Sequence, residues 1–181
     1  MSEDQKSSGD SEDPPVVTVS GDASGAEQAP LSVTTNLPSA VWPPKNVGDL
    51  MTRKVIAVSE AEPIGELETW MGRFRFHHLP VVDGAMKLVG LITQTDFLHA
   101  RLGRAPDGRS IEAAGPETKA GDIMRKNVVF AHMDHSLQMA GEAMLREQIG
   151  CLPVVLDDKT LVGIISTTDF VRVAVESLRR A

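Results

Sequence analysis

Shifted by 73 positions, residues 47–97 of this 181-residue chain fall on residues 120–170 without a gap. The register gives 17 identities in 51 positions, and most other apolar positions match in kind. Gly48-Asp49-Leu50-Met51 meets Gly121-Asp122-Ile123-Met124, and Leu79-Pro80-Val81-Val82 meets Leu152-Pro153-Val154-Val155. The run from Leu88 to Phe97 meets the run from Leu161 to Phe170. Self-similarity at a fixed offset marks a duplicated supersecondary unit, and it narrows the possible folds more than composition does.

Each copy reads as β-α-β-β-α. Val55–Val58 and Val128–Ala131 are short β-branched strands. Helical patterns follow at Ile64–Phe76 and Leu137–Gln148, with apolar residues three or four apart. Leu79–Val82 and Leu152–Leu156 read as buried strands, and the turns Asp83-Gly84 and Asp157-Asp158 lead into Leu88–Ile92 and Leu161–Ile165. A second helix closes each copy, near Thr95–Leu102 and Thr168–Arg179. The class is therefore α/β (α+β). One unit of this size cannot bury its own sheet face, whereas two related by a pseudo-twofold axis can. The expected organisation is a tail over 1–46, a first unit over 47–103, a polar linker over 104–119 and a second unit over 120–181.

The tail differs in kind from the rest. Its 46 residues hold seven acids and two bases, a net −5 of the chain's −7. It is rich in Ser, Gly, Pro and Asp, so disorder is expected. Two valine runs, Val16–Val19 and Val33–Thr35, are its only candidates for strand pairing, and Trp42 is placed to pin its end to the domain. Aromatics amount to 4% with no Tyr, and the pI is about 5.2. Neither a base-stacking platform nor a phosphate-neutralising surface fits those values, so no nucleic-acid partner is expected. No apolar run reaches the ~20 residues of a membrane span, and Met1-Ser2-Glu3-Asp4 does not open a secretory signal. A cytoplasmic location is the simplest. The single cysteine, Cys151, opens an apolar strand and is expected to be buried and inert.

Thr93-x-x-Asp96 and Ser166-x-x-Asp169 each follow a buried strand and open a helix. A carboxylate there can accept hydrogen bonds from both hydroxyls of a ribose, and charge-assisted bonds are the stronger ones. The hydroxyl and the free N–H groups of the helix start suit a phosphate oxygen. The same spacing is close to a capping box, which satisfies those N–H groups with no ligand. Both roles can coexist. His132-x-x-His135 is half a metal set at best, with no cysteine or second histidine pair to complete it. The chain has no nucleophile elbow, Gly-rich phosphate loop or dinucleotide fingerprint, so an enzyme is not expected.

The order D-[LI]-M, LPVV and L-V-G-h-[IL]-[TS]-x-T-D-F, found twice, resembles a pair of cystathionine-β-synthase (CBS) domains, a Bateman module. The resemblance covers residues 47 to about 178. It implies a regulatory fold that binds adenosine-containing ligands, such as AMP, ADP, ATP or S-adenosylmethionine, in clefts between its units, and that dimerises. In the family, each cleft joins the Asp motif of one unit to first-strand residues of the other. By that rule Ser166 and Asp169 share a cleft with Lys54, Ile56, Phe76 and His77. Thr93 and Asp96 share theirs with Asn127, Val129, Ile149 and Gly150. A histidine at the place of His77 contacts nucleotide phosphate in the gamma subunit of AMP-activated protein kinase. Gly150 and Asn127 stand in the second unit where His77 and Lys54 stand in the first, so the clefts should differ. No cofactor or metal is expected, the resemblance implies a homodimer, and the target protein is not named by the sequence. The apolar stripe Phe170, Val171, Ala174, Val175 and Leu178, with its equivalent Phe97, Leu98 and Leu102, is expected to be covered partly by the partner unit and for the rest by a second copy of the chain. A ligand-free dimerisation or protein-interaction module is the competing reading.

Overall fold

The computed structural model describes residues 16–18, 42–65, 67, 70–71 and 77–181. After a strand β1 (Val16–Thr18), the first unit holds α1 (Val47–Leu50), β2 (Val55–Ser59), β3 (His78–Val82), β4 (Leu88–Thr93) and α2 (Gln94–Arg101). The second holds α3 (Ala120–Ile123), β5 (Ala131–His132), α4 (Leu137–Glu147), β6 (Cys151–Val155), β7 (Leu161–Ser166) and α5 (Thr167–Arg180). Between β2 and β3, Ile64, Gly65, Leu67, Trp70 and Met71 are helical. The rest of the expected helix, including Phe74 and Phe76, lies outside the described residues, as does Val33–Thr35.

Strands β2 to β4 of the four-stranded sheet are repeated as β5 to β7 of the three-stranded one. In the first, β2 runs parallel to β3 through Val58↔Val81 and Ser59↔Val82, and β3 is antiparallel to β4. In the second, Ala131↔Val154 and His132↔Val155 repeat those pairs, and β6 is antiparallel to β7. The turns match too. Met86 and Lys159, one repeat apart, both take a positive φ, at 61° and 69°.

The units exchange their entry segments. Gly48 N–H donates to Met133 O at 2.8 Å, and Gly121 N–H donates to Glu60 O at 2.9 Å. Val47, Leu50 and Met51 accordingly sit in the core of the second unit, with Leu152, Val154 and Ile165. Ala120, Ile123 and Met124 sit in the core of the first, with Leu79, Val81 and Ile92. A third cluster, of Val55, Ala57, Val82, Leu88, Val155 and Leu161, closes the seam between the units. Fully burying one such aliphatic side chain stabilises by ~1.5–3 kcal/mol, so neither unit keeps its core without the other.

The exchange explains two motif positions. Met51 lies over Gly163 and Met124 over Gly90, so close that a Cβ at Gly163 would fall 2.6 Å from Met51 Sδ. The Met of D-[LI]-M and the Gly of L-V-G are the two halves of this contact, each supplied by a different unit.

One of the two valine runs named as candidates for pairing does pair: Val16–Thr18 forms β1, parallel to β2 through Val16↔Val55, Val17↔Ile56 and Thr18↔Ala57. One expectation needs correction. The first strand of the second unit is shorter than Val128–Ala131. Residues 128–130 are not in a strand, and only Ala131 and His132 pair with β6. The cause is a difference in partners. Residues 55–57 are paired by β1, whereas their equivalents 128–130 have no pairing strand among the described residues. Trp42 does pin the end of the tail, with the Arg180 guanidinium 4.5 Å above its ring.

Candidate functional site

Both Asp motifs sit where an antiparallel strand ends and a helix begins. Thr93, in extended conformation, donates its N–H at 2.8 Å and its hydroxyl at 2.7 Å to Asp96 Oδ2. Ser166 donates its N–H and its hydroxyl to Asp169 Oδ2, both at 2.8 Å. The capping role is therefore realised twice. Each aspartate is buried, and each keeps its second oxygen, Oδ1, for another partner.

Those partners differ. Asp96 is wholly buried, and Oδ1 accepts from Arg125 Nε at 2.9 Å with Nη2 also at 2.9 Å. Arg125 belongs to the other unit. Its backbone is bridged to Leu91, which brings the chain after α3 alongside β4. The symmetric bridge, Thr52 to Ile164, brings the chain after α1 alongside β7. Threonine cannot reach across as arginine does. Asp169 Oδ1 instead accepts from Arg172 Nη1 of its own helix, at 2.9 Å. One cleft thus has its carboxylate held from the opposite unit, and the other has it held locally. Sequence reasoning missed both arginines. The available signal was the unmatched pair Thr52 and Arg125 in the repeat alignment.

The remaining candidates fall as follows. Lys54 is exposed just before β2, and Ile56 is half-buried on β2 against the first core. Both lie on the segment that the Thr52 bridge carries to β7. Asn127 and Val129 are exposed on the segment that the Arg125 bridge carries to β4. Gly150 accepts from Thr167 N–H at 3.0 Å, which sets it beside the Ser166 motif of its own unit. Ile149 packs against the second core. His77 is exposed, and Phe76 lies outside the described residues.

His78, not singled out as a site residue, faces across the seam. Its Nε2 is 3.4 Å from the place a Gly150 Cβ would take, and burial, then the neighbouring His77, push its pKa below the ordinary value. Cys151 is buried, and burial pushes its thiol up to about 12. His132 lies 3.7 Å from Asp157, with the His135 ring 5.0 Å away. Among the described residues, no three His, Cys, Asp or Glu are grouped to hold a metal. A cavity of about 60 Å³ opens beside Lys126, Val128, Phe130 and Lys159. Lys126, Val128 and Phe130 are the sequence neighbours of Asn127 and Val129 rather than those residues themselves. No helix among the described residues is long and apolar enough to cross a membrane.

Comparison with known proteins agrees with this architecture. The chain is 33% identical over 128 residues to the inosine-5′-monophosphate dehydrogenase of Methanocaldococcus jannaschii, covering 71% of this chain and 23% of that enzyme. The chain spans less than half the length of the curated relatives it matches, and about a quarter in most cases. Among solved structures it resembles the CBS domain pair of protein MJ0100 in complex with 5′-methylthioadenosine and S-adenosyl-L-methionine. That match has a TM-score of 0.62 and 27% identity, and covers 73% of this chain and 97% of the other. It also resembles the cytosolic domain of the Mg2+ channel MgtE in complex with ATP, with a TM-score of 0.58 and 25% identity over 71% of this chain and 48% of that one. The family model for the CBS domain matches residues 47–103 and again 120–176, and with two such repeats packed face to face the chain belongs to the CBS-domain family.

Proposed function

We propose that this chain is a regulatory sensor, not an enzyme, that takes an adenosine-containing ligand in the cleft carrying Ser166 and Asp169. The observation that carries this reading is the unequal holding of the two carboxylates. Asp169 is held by Arg172, which sits one turn along its own helix and keeps 27% of its side chain exposed. Arg172 can swing aside without disturbing the seam, leaving Asp169 Oδ1 for ribose hydroxyls and a guanidinium for phosphate. Lys54 supplies further positive charge on the first-unit side, and His77 a further imidazole. The ligands in the MJ0100 and MgtE complexes, all adenosine compounds, support the ligand class.

The cleft of Thr93 and Asp96 is read as weaker or unused, because the ion pair with Arg125 already occupies the carboxylate. That pair is the observation favouring a ligand-free, structural role for this half. A homodimer is proposed on the helical face that leaves Leu98, Leu102, Val171, Val175 and Leu178 exposed.

Calorimetric titration with AMP, ADP, ATP and S-adenosylmethionine tests the reading. Asp169→Ala is expected to weaken the tighter site ten- to a hundredfold, since losing a charge-assisted hydrogen bond costs ~1.5–3 kcal/mol. Asp96→Ala is expected to leave that site unchanged. Equal effects discard the asymmetry, and no binding by the parent chain promotes the ligand-free module.

A further inference from the structure

Val16–Thr18, one of the two segments of the acidic tail that the structure describes, lies on the strand that carries a residue proposed to receive the ligand. β1 pairs with Val55, Ile56 and Ala57, on the edge of β2 opposite β3, and it also approaches β7, the strand that ends at Ser166. Ile56 is at the centre of this pairing, and Lys54 immediately precedes it. The edge is not intrinsically closed by the repeat. Its equivalent in the second unit, residues 128–130, carries no pairing strand among the described residues, and Val129 and Phe130 remain 38% and 37% exposed there. What differs between the two edges is the tail.

We propose that Val16–Thr18 is a built-in occupant of the Ser166/Asp169 cleft, and that it competes with the ligand for the edge of β2. This rests on the adenosine reading given above. A strand edge offers alternating in-plane N–H donors and C=O acceptors. An added strand satisfies them, and so does the donor–acceptor edge of a purine base. The two cannot use Val55–Ala57 at once. The ligand then binds only the undocked fraction, so apparent affinity falls in proportion to that fraction. A docked population of about nine-tenths weakens binding about tenfold. Ligand binding in turn releases the tail, which converts occupancy of the cleft into exposure of an acidic segment.

The test compares the full chain with full-length Val17→Pro, which removes one backbone donor and disfavours the strand. Calorimetry uses AMP and S-adenosylmethionine as probes. Val17→Pro is expected to bind at least one of them about tenfold more tightly or better. A synthetic peptide covering residues 10–22, added to Val17→Pro, is expected to restore the weaker affinity. Equal affinities in parent and variant overturn the proposal, and so does a peptide without effect. If neither chain binds either probe, the adenosine reading falls, and amide exchange alone judges the tail. Slow exchange at Ile56 and Ala57 in the parent and fast exchange in Val17→Pro then keep the tail as the occupant of this edge. Equal exchange rejects it.

Discussion

Arg125 holds Asp96 from across the seam, with Nε and Nη2 both 2.9 Å from Oδ1. Thr52 occupies the symmetric place opposite Asp169 and leaves that carboxylate to Arg172. Arg125→Ala is expected to destabilise the fold by ~2–3 kcal/mol, because it strips a charged partner from a wholly buried carboxylate while Arg125 itself is half-exposed. Thr52→Arg is expected to build the same clamp on Asp169 and weaken nucleotide binding tenfold or more, which is ~1.4 kcal/mol or above. Urea denaturation reads the first effect and calorimetry the second. Unchanged binding in Thr52→Arg would show that the carboxylate is not the ligand's anchor.

Gly163→Ala places a Cβ against Met51 Sδ and against Thr52 O, which lies 3.1 Å from that position. The sulfur can shift, but the backbone oxygen cannot shift cheaply. Overpacking of this kind costs ~1–3 kcal/mol. Gly84→Ala meets nothing within 4 Å and is expected to stay within about 0.5 kcal/mol of the parent. Paired unfolding curves of the two variants check the contrast.

The buried side of His78 gives a pH dependence with a definite sign. Burial first, and the charge of His77 second, lower its pKa from 6.5, with Asp96 opposing. Between the folded value and 6.5 the unfolded chain binds more protons, so stability falls as pH drops through that window and is fully present above it. His78→Gln should flatten the dependence. Thermal midpoints at several pH values from neutral downward decide it, and an unflattened curve would assign the slope to other groups.

Cys151, with its thiol pushed up to about 12 by burial, is expected to resist an aromatic disulfide reagent at pH 8 in the native chain. Thiolate is the reactive form, and access is closed as well. Reaction should become complete only in denaturant. Rapid modification of the folded protein would show that the seam beside β6 opens readily.

Val171, Val175 and Leu178 are 60%, 43% and 79% exposed on α5. Sedimentation at tens of micromolar is expected to show a dimer, and Val175→Glu with Leu178→Glu is expected to shift it toward monomer with little change in unfolding midpoint. A strict monomer in the parent chain would remove the proposed interface.

Local pattern carried a large part of this structure. The 73-residue offset made the duplication visible, and the apolar runs Leu88–Ile92 and Leu161–Ile165 after a turn located strands that the structure buries on every second residue. The Thr/Ser-x-x-Asp spacing located both helix starts, because a cap is an interaction over three residues and depends on nothing distant. The strandless edge at residues 128–130 was not legible, nor was the pairing of Val17 with Ile56. Strand length there is decided by whether a neighbour supplies the other half of the ladder, and each β1 residue pairs with one 39 positions on in the chain.

The sequence by itself determined the repeat, the class and the two aspartate positions. Tertiary structure decided which groups those aspartates meet, since Arg125 reaches Asp96 only because the units exchange their entry segments and bridge Arg125 to Leu91. It also decided why Met follows D-[LI] and Gly follows L-V, as each residue is shaped to a partner 34 or 112 positions away. Contacts of that kind are set by how two faces pack, and packing across a pseudo-twofold seam leaves no periodicity in the chain from which it can be read.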